Sequence, residues 1–338
     1  MSRIVPQAPS SLSDQREARV AEAALLALPT LGGPVLVVED EGRVGPRLDG
    51  EVTRWSRVSE GGRAGTPWPA EGPFKAATLR LPLGHQHLVM IAHAIAARLS
   101  PGGRLYVYGG NDEGIRSAPR KLEAAFGEVK TLATLRKCRV LVATAPRDDL
   151  KGALDDWIER GEIDLDGRRR PWVWWPGIFA GGQLDPATAM LVAALPPMEG
   201  RVLDFGCGAG VIAAALIGRQ PGLRVDALDH DALAVEATRR NVPGAAAILG
   251  EGWAAAGLAP RYAAVISNPP FHKGKSEDFA VVRGLIEGAA RRADALWIVT
   301  QRQIPLQPLL APHFAQVEIV AGDSKNAVWR CRSPRPPR

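Results

Sequence analysis

Two short motifs in the second half of the chain hold residue types that can do chemistry. The first is Asp204-Phe205-Gly206-Cys207-Gly208-Ala209-Gly210. Glycines at alternate positions let the backbone turn tightly and let a ligand approach it closely. The spacing is G-x-G-x-G, and no Lys-Ser/Thr follows as in a P-loop. An acid just before such a turn would repel a pyrophosphate, but it suits the positive amino group of an amino-acid-like ligand. Asp229 ends the next predicted strand, where an acid takes a ribose hydroxyl pair. Glu251, in Leu249-Gly250-Glu251-Gly252-Trp253, follows the third strand and could accept from an adenine amino group. Amino acid, ribose and adenine together describe S-adenosylmethionine. The alternative is an ordinary strand-to-helix turn with three unrelated acids.

The second motif is Asn268-Pro269-Pro270-Phe271. Two prolines after the Asn fix a rigid turn and remove backbone donors. The Asn side-chain oxygen and the Pro269 carbonyl are then two acceptors held close together. A planar exocyclic amino group on a base offers two donors to such a pair. With the ring stacked on Phe271, its nitrogen would be aimed at a methyl donor. Alone, the motif could be a strand-ending turn. Cys207 reads as a small filler in the glycine loop, whose backbone matters more than its thiol.

These residues need elements to hold them. The chain has 338 residues, 46% of them hydrophobic, and a formal net charge of +6. That length suggests two domains. No apolar run reaches the roughly 18–20 residues of a membrane span, and Met1–Asp14 lacks the apolar core of a secretory signal. Three scattered cysteines suit neither a disulfide framework nor a zinc site. A reduced, cytoplasmic protein is expected. The first half reads as alternating strands and helices: a helix over 14–28, strands over 35–38 and 76–83, a helix over 87–99, a strand over 104–108, a helix over 118–126, then two strands within 130–143. Residues 148–160 read as a short amphipathic helix. Residues 162–165 and 171–175 flank the turn Asp166-Gly167, a hairpin signal. From Leu184 onward strands and helices alternate more clearly, as a layered α/β domain requires.

The residues quoted above, with Pro176-Gly177-Ile178-Phe179, Leu184-Asp185 and Ser267 to His272, resemble class I S-adenosylmethionine-dependent methyltransferases. The closer resemblance, which includes Gly109 to Ala118 and Lys137-Cys138, is to the ribosomal RNA small subunit methyltransferase C family. It implies two tandem Rossmann-like methyltransferase domains: a degenerate first one over 1–146, and a catalytic one over 178–332 with a seven-stranded, mostly parallel sheet. Residues 147–177 would be a linker helix and hairpin, and 333–338 a disordered tail. It implies methyl transfer to the N2 amine of a guanine in ribosomal RNA. Asn268, Pro269, Pro270 and Phe271 would hold the base. Asp204, Gly206, Cys207, Gly208, Asp229, Glu251, Gly252 and Asn268 would bind S-adenosylmethionine, with Phe179 and Asp185 near it. The partner would be ribosomal RNA or the small ribosomal subunit; a monomer without metal or membrane attachment is expected. Methylation of another RNA or of a protein glutamine is the alternative chemistry. A non-catalytic RNA-binding assembly factor is the alternative class, and an intact Asn268 and Phe271 argue against it.

The two halves also resemble each other. Thr78 to His85 lies where the second half has Val265 to His272, so that Leu81 replaces Asn268 and Gly84 replaces Phe271. The glycine loop has no counterpart. The first half is therefore expected to dock substrate without cofactor. Arg116, Arg120, Lys121, Lys130, Arg136, Lys137 and Arg139 could form a phosphate-binding face there, or be scattered solvated charge. Trp172, Trp174 and Trp175 could stack bases or pack the hairpin. His85 and His87 lack a third ligand, so no metal is expected.

Overall fold

The computed structural model describes residues 12–40, 42–82, 84–270 and 276–336. Phe271 and His272 lie outside them. The chain forms two compact units: residues 1–57 with 68–157, and residues 58–67 with 158–338. The ten residues 58–67, which the sequence puts in the first domain, pack with the second.

The first unit is a six-stranded sheet. Its strands are β1 (Val35–Val38), β2 (Val52–Trp55), β3 (Phe74–Arg80), β4 (Leu99–Gly110), β5 (Phe126–Leu135) and β6 (Cys138–Pro146), in the order β2-β1-β3-β4-β6-β5. The pairings β1–β2, β1–β3 and β3–β4 are parallel; β6 is antiparallel to β4 and β5. Helices α1 (Leu12–Ala27), α2 (His85–Ala96) and α3 (Ala118–Leu122) accompany it. β1 is buried at all four positions, as an unbroken apolar run covered on both faces should be. Leu36, Leu79, Ile91, Ile95, Val107 and Phe126 form the main core.

The second unit opens with a hairpin, β7 (Glu159–Leu165) and β8 (Arg168–Trp174). Its turn residues Asp166 and Gly167 both have positive φ, 56° and 73°. That is the type I′ geometry that matches strand twist. Then follow α4 (Pro186–Ala194), β9 (Arg201–Phe205), α5 (Val211–Arg219), β10 (Arg224–Asp229), α6 (Ala232–Asn241), β11 (Ala246–Leu249), β12 (Tyr262–Ser267), α7 (Ser276–Arg292), β13 (Ala293–Gln301), α8 (Gln307–Leu310), β14 (Phe314–Gly322) and β15 (Asn326–Pro334). The seven strands run β11-β10-β9-β12-β13-β15-β14, parallel except at β15. The first unit has the same order less the outermost parallel strand. The internal resemblance seen in the sequence therefore extends to topology. It places Val35–Val38 opposite Arg201–Phe205 and Phe74–Arg80 opposite Tyr262–Ser267. No helix among the described residues is long and apolar enough to cross a membrane.

Two expectations need correction. Residues 148–160 hold one helical turn, Leu154–Trp157, rather than a helix. Their backbone is committed elsewhere: Lys151 N donates to His93 Nδ1 at 3.2 Å, and the Gly152 carbonyl accepts from Trp68 Nε1 and Arg98 Nη1. β15 runs through Ser333 and Pro334, so the last strand takes in the start of the expected tail.

Candidate active site

The Rossmann order puts the ends of β9, β10 and β12 side by side, where strand order reverses and ligands bind. From β9 the chain enters the glycine loop. Gly206 N and Cys207 N both donate to the Leu228 carbonyl, at 2.8 and 2.9 Å, which hooks the loop onto β10. Gly206, Gly208 and Gly210 have φ of 78°, 55° and 89°, a region costly for residues with a Cβ. The three glycines face different surroundings. A Cβ at Gly206 or Gly208 would meet nothing within 4 Å, whereas one at Gly210 would meet Val242 at 2.9 Å and Thr238 at 3.0 Å. Gly210 therefore serves close packing against α6, and the first two leave backbone open to a ligand.

A pocket lies over that open backbone. Its lining includes Phe179, Thr188, Gly206, Gly208, Val211 and Asn268. The N-terminus of α5 adds unpaired amide groups and the positive end of the helix dipole. Phe179 stands at the pocket, 61% exposed.

The acids surround the pocket without lining it. Asp204 is fully buried beneath the loop. Its Oδ2 accepts from Ala213 N at 3.1 Å, and its Oδ1 has no partner among the described residues. Burial, with a smaller push from Asp229, raises its carboxyl to about 7. Asp229 uses both oxygens on backbone: Oδ2 accepts from Gly208 N and Oδ1 from Asp231 N, each at 2.9 Å. Glu251 is exposed, and its Oε2 accepts from Gly61 N at 3.0 Å. Gly252, beside it, has a φ of 54° and sits against the edge of the Phe205 ring. Cys207 is buried, its Sγ 3.3 Å from Thr238 Oγ1; burial holds its thiol far above the ordinary range. A neutral buried thiol is no nucleophile.

Asn268 ends β12. Its Nδ2 donates to Asp185 Oδ2 at 3.1 Å and to Thr188 Oγ1 at 2.9 Å. A carboxylate only accepts, so the amide nitrogen must face Asp185. Asp185 caps α4 by accepting from Thr188 N at 3.0 Å, with Pro186 at the first helical position. Asp185 thus meets Asn268 and not the pocket. Pro269 is buried and Pro270 exposed.

Sequence reasoning missed three supports. Thr238 Oγ1 donates to the Gly208 carbonyl at 3.0 Å. Asn241 Nδ2 donates to the carbonyls of Ala209 and Val173, and its Oδ1 accepts from Val173 N. They are polar residues one turn apart on α6, and that spacing was the available signal. The third is the segment 58–67: Val58 pairs with Asp231, and Ser59 N donates to the His230 carbonyl at 2.8 Å. This strap runs along the acid-bearing ends of β10 and β11. Trp172 and Trp175 are fully buried in the hairpin core, so they pack rather than stack on bases.

At the equivalent edge of the first unit other residues stand. Arg80 lies between Glu17 of α1 and Glu113, 2.6 Å from each. Val20, Ala21 and Ala24 of α1 pack with Tyr108, Cys138 and Val140. The Asp40 carboxylate, just past β1, accepts from Val44 N and Gly45 N. Helix α1 packs on β4, β5 and β6, as α4 packs on β13, β14 and β15, and the ion network ties it to the end of β3.

The Methyltransferase small domain family matches residues 172–330, and the Methyltransferase small domain N-terminal family matches residues 54–160. The ribosomal RNA small subunit methyltransferase C of Shewanella pealeana is 32% identical over 284 residues, covering 76% of this chain and 82% of that one. The protein of the same name from Pseudomonas aeruginosa is 35% identical over 268 residues, covering 77% and 80%. Among solved structures, a T. thermophilus 16S rRNA N2 methyltransferase in complex with AdoMet and guanosine superposes with a TM-score of 0.81 at 22% identity, over 93% of this chain and 91% of that one; this likeness supports the fold. With identity above 30% to these two relatives across about four-fifths of their length, the chain belongs to the ribosomal RNA small subunit methyltransferase C family.

Proposed function

We infer that the protein transfers a methyl group from S-adenosylmethionine to the exocyclic N2 amine of a guanine in ribosomal RNA. The observation that carries this reading is Asn268. Both its amide hydrogens are engaged by Asp185 and Thr188, so the pocket meets its carbonyl oxygen, an acceptor for an amino group.

The residues fit the cofactor. Open backbone at Gly206 and Gly208, the α5 N-terminus and the unpaired Asp204 Oδ1 together suit an amino-acid moiety. Asp229 and Glu251 each keep acceptor capacity for a nucleoside, and Phe179 offers an apolar face at the mouth. When bound, S-adenosylmethionine supplies a methyl group already activated on a sulfonium. The protein's contribution is placement and exclusion of water. Asn268 Oδ1 and the Pro269 carbonyl hold the two hydrogens of the target amine, which fixes the plane of the base. The base must leave its stack to reach them. Phe271, next in sequence, is the stacking platform in this reading.

RNA docking falls to the first unit. Arg116, Arg120 and Lys137 are exposed there, while Lys130 pairs with Glu128 and Arg136 with Glu22. The protein acts as a monomer in the cytoplasm, where its substrate is made. Small ribosomal subunits and naked ribosomal RNA, incubated with labelled cofactor and digested to nucleosides, should yield labelled N2-methylguanosine. Label on another nucleoside, or none, overturns the reading.

A further inference from the structure

We propose that Asp185 and Thr188 form an orientation lock on Asn268, and that this lock makes the site select an amino group over a keto group. The proposal rests on the methyl-transfer reading above. A primary amide can sit either way round, with nearly the same shape. One way it presents an acceptor, the other way two donors. Only the first grips an amine.

The hydrogen bonds around Asn268 have a fixed polarity. The Asp185 carboxylate has acceptors only, and it takes Thr188 N at 3.0 Å and Asn268 Nδ2 at 3.1 Å on the same oxygen. The Thr188 hydroxyl stands 3.4 Å from that oxygen and 2.9 Å from Asn268 Nδ2. With its hydrogen toward Asp185, it offers Asn268 a lone pair. Every group in the chain therefore points its hydrogens toward Asp185. Turning the Asn268 amide over would set its carbonyl oxygen against the carboxylate and lose that bond, and the Thr188 hydroxyl could then donate to Asn268 only by turning away from Asp185. Thr188 is buried, so water cannot replace it freely. Among the described residues no donor reaches Asn268 Oδ1.

Guanine carries an amino group at one edge and a keto oxygen at another. A site whose polar tip is an oxygen attracts the first and repels the second. The family resemblance puts Asp185 near the cofactor; its contacts make it a positioning residue for Asn268. The cap and the lock also share one carboxylate, so α4 cannot start in register without setting the amide.

The test is Asp185→Asn, which keeps the shape and the helix cap but can donate as well as accept. Matched thermal melts establish that it folds. On nitrogen-labelled protein, the Asn268 side-chain amide protons of the parent should be protected from exchange, and this protection should vanish in Asp185→Asn and in Thr188→Val. Thr188→Ser, which keeps the hydroxyl, should restore it. With small ribosomal subunits, kcat in Asp185→Asn should fall about a hundredfold, while cofactor affinity stays within about twofold. Retained protection with unchanged kcat overturns the lock. So does a loss of cofactor affinity with kcat intact at saturation, which would make Asp185 a cofactor ligand. If the parent itself methylates no guanine, the functional reading fails instead, whatever the amide protons do.

Discussion

The Asp229 carboxylate accepts the Gly208 N–H at 2.9 Å, so the acid that ends one strand holds the glycine loop that leaves its neighbour. Its other oxygen fixes Asp231 N, the start of α6. One side chain thus ties strand, loop and helix together at the point where a ribose would sit. Asp229→Ala should raise the cofactor dissociation constant by the worth of a charge-assisted hydrogen bond, about 1.5–3 kcal/mol. Asp229→Asn should cost less, because it keeps one acceptor. Calorimetric titration separates the two.

Asp204 predicts a pH dependence. Its carboxyl is raised to about 7 in the folded protein from an ordinary 3.8. The folded state then binds more protons at this group than the unfolded state between those values, so its contribution to stability is full below about pH 4 and falls as pH rises to about 7. The loss from this one group is on the order of 4 kcal/mol. Urea unfolding of the free protein at pH 5 and pH 8 should show roughly 2–3 kcal/mol of it, and Asp204→Asn should flatten it. A bound ammonium favours the ionised form, so cofactor affinity should rise through pH 7 in the parent and not in Asp204→Asn.

Asn268→Ala should abolish turnover and leave cofactor binding nearly unchanged, because its free oxygen is assigned to the target amine. Single-turnover methylation beside calorimetry checks this. Survival of the rate within tenfold removes the acceptor role.

Neutralising Arg116, Arg120 and Lys137 together should weaken RNA binding alike for all sequences. The slope of log affinity against log salt should flatten by about two to three. Cofactor affinity should not move. Filter binding across a salt series provides the measurement.

The glycine loop and the Asp166-Gly167 hairpin were legible because each depends on residues adjacent in sequence. Thr238, Asn241 and the strap were not. Their partners are backbone atoms far along the chain, such as Val173 for Asn241, 68 residues away; the one-turn spacing of Thr238 and Asn241 marks a shared polar face but does not name such a partner. The false helix over 148–160 failed for the same reason. Its amphipathic spacing is real, but Trp68, His93 and Arg98 claim its backbone groups first. The family resemblance puts Asp185 near the cofactor, and sequence gives no direction for its carboxylate, which the structure points at Asn268.

The strap gives the second unit an unusual history during synthesis. Gly61 and its partner Glu251 are 190 residues apart. At about 5–20 residues per second, the ribosome makes Gly61 roughly 10–40 s before Glu251. Through that interval the first unit can fold, but residues 58–67 have no strand ends to lie on. The acid-bearing edge of the second unit is thus completed by a piece of chain that has waited longest. A nascent protein halted before Leu249 would leave that piece unpaired; in the finished one Ser59 and Gly61 are tied down by hydrogen bonds while Glu60 to Ala64 stay exposed.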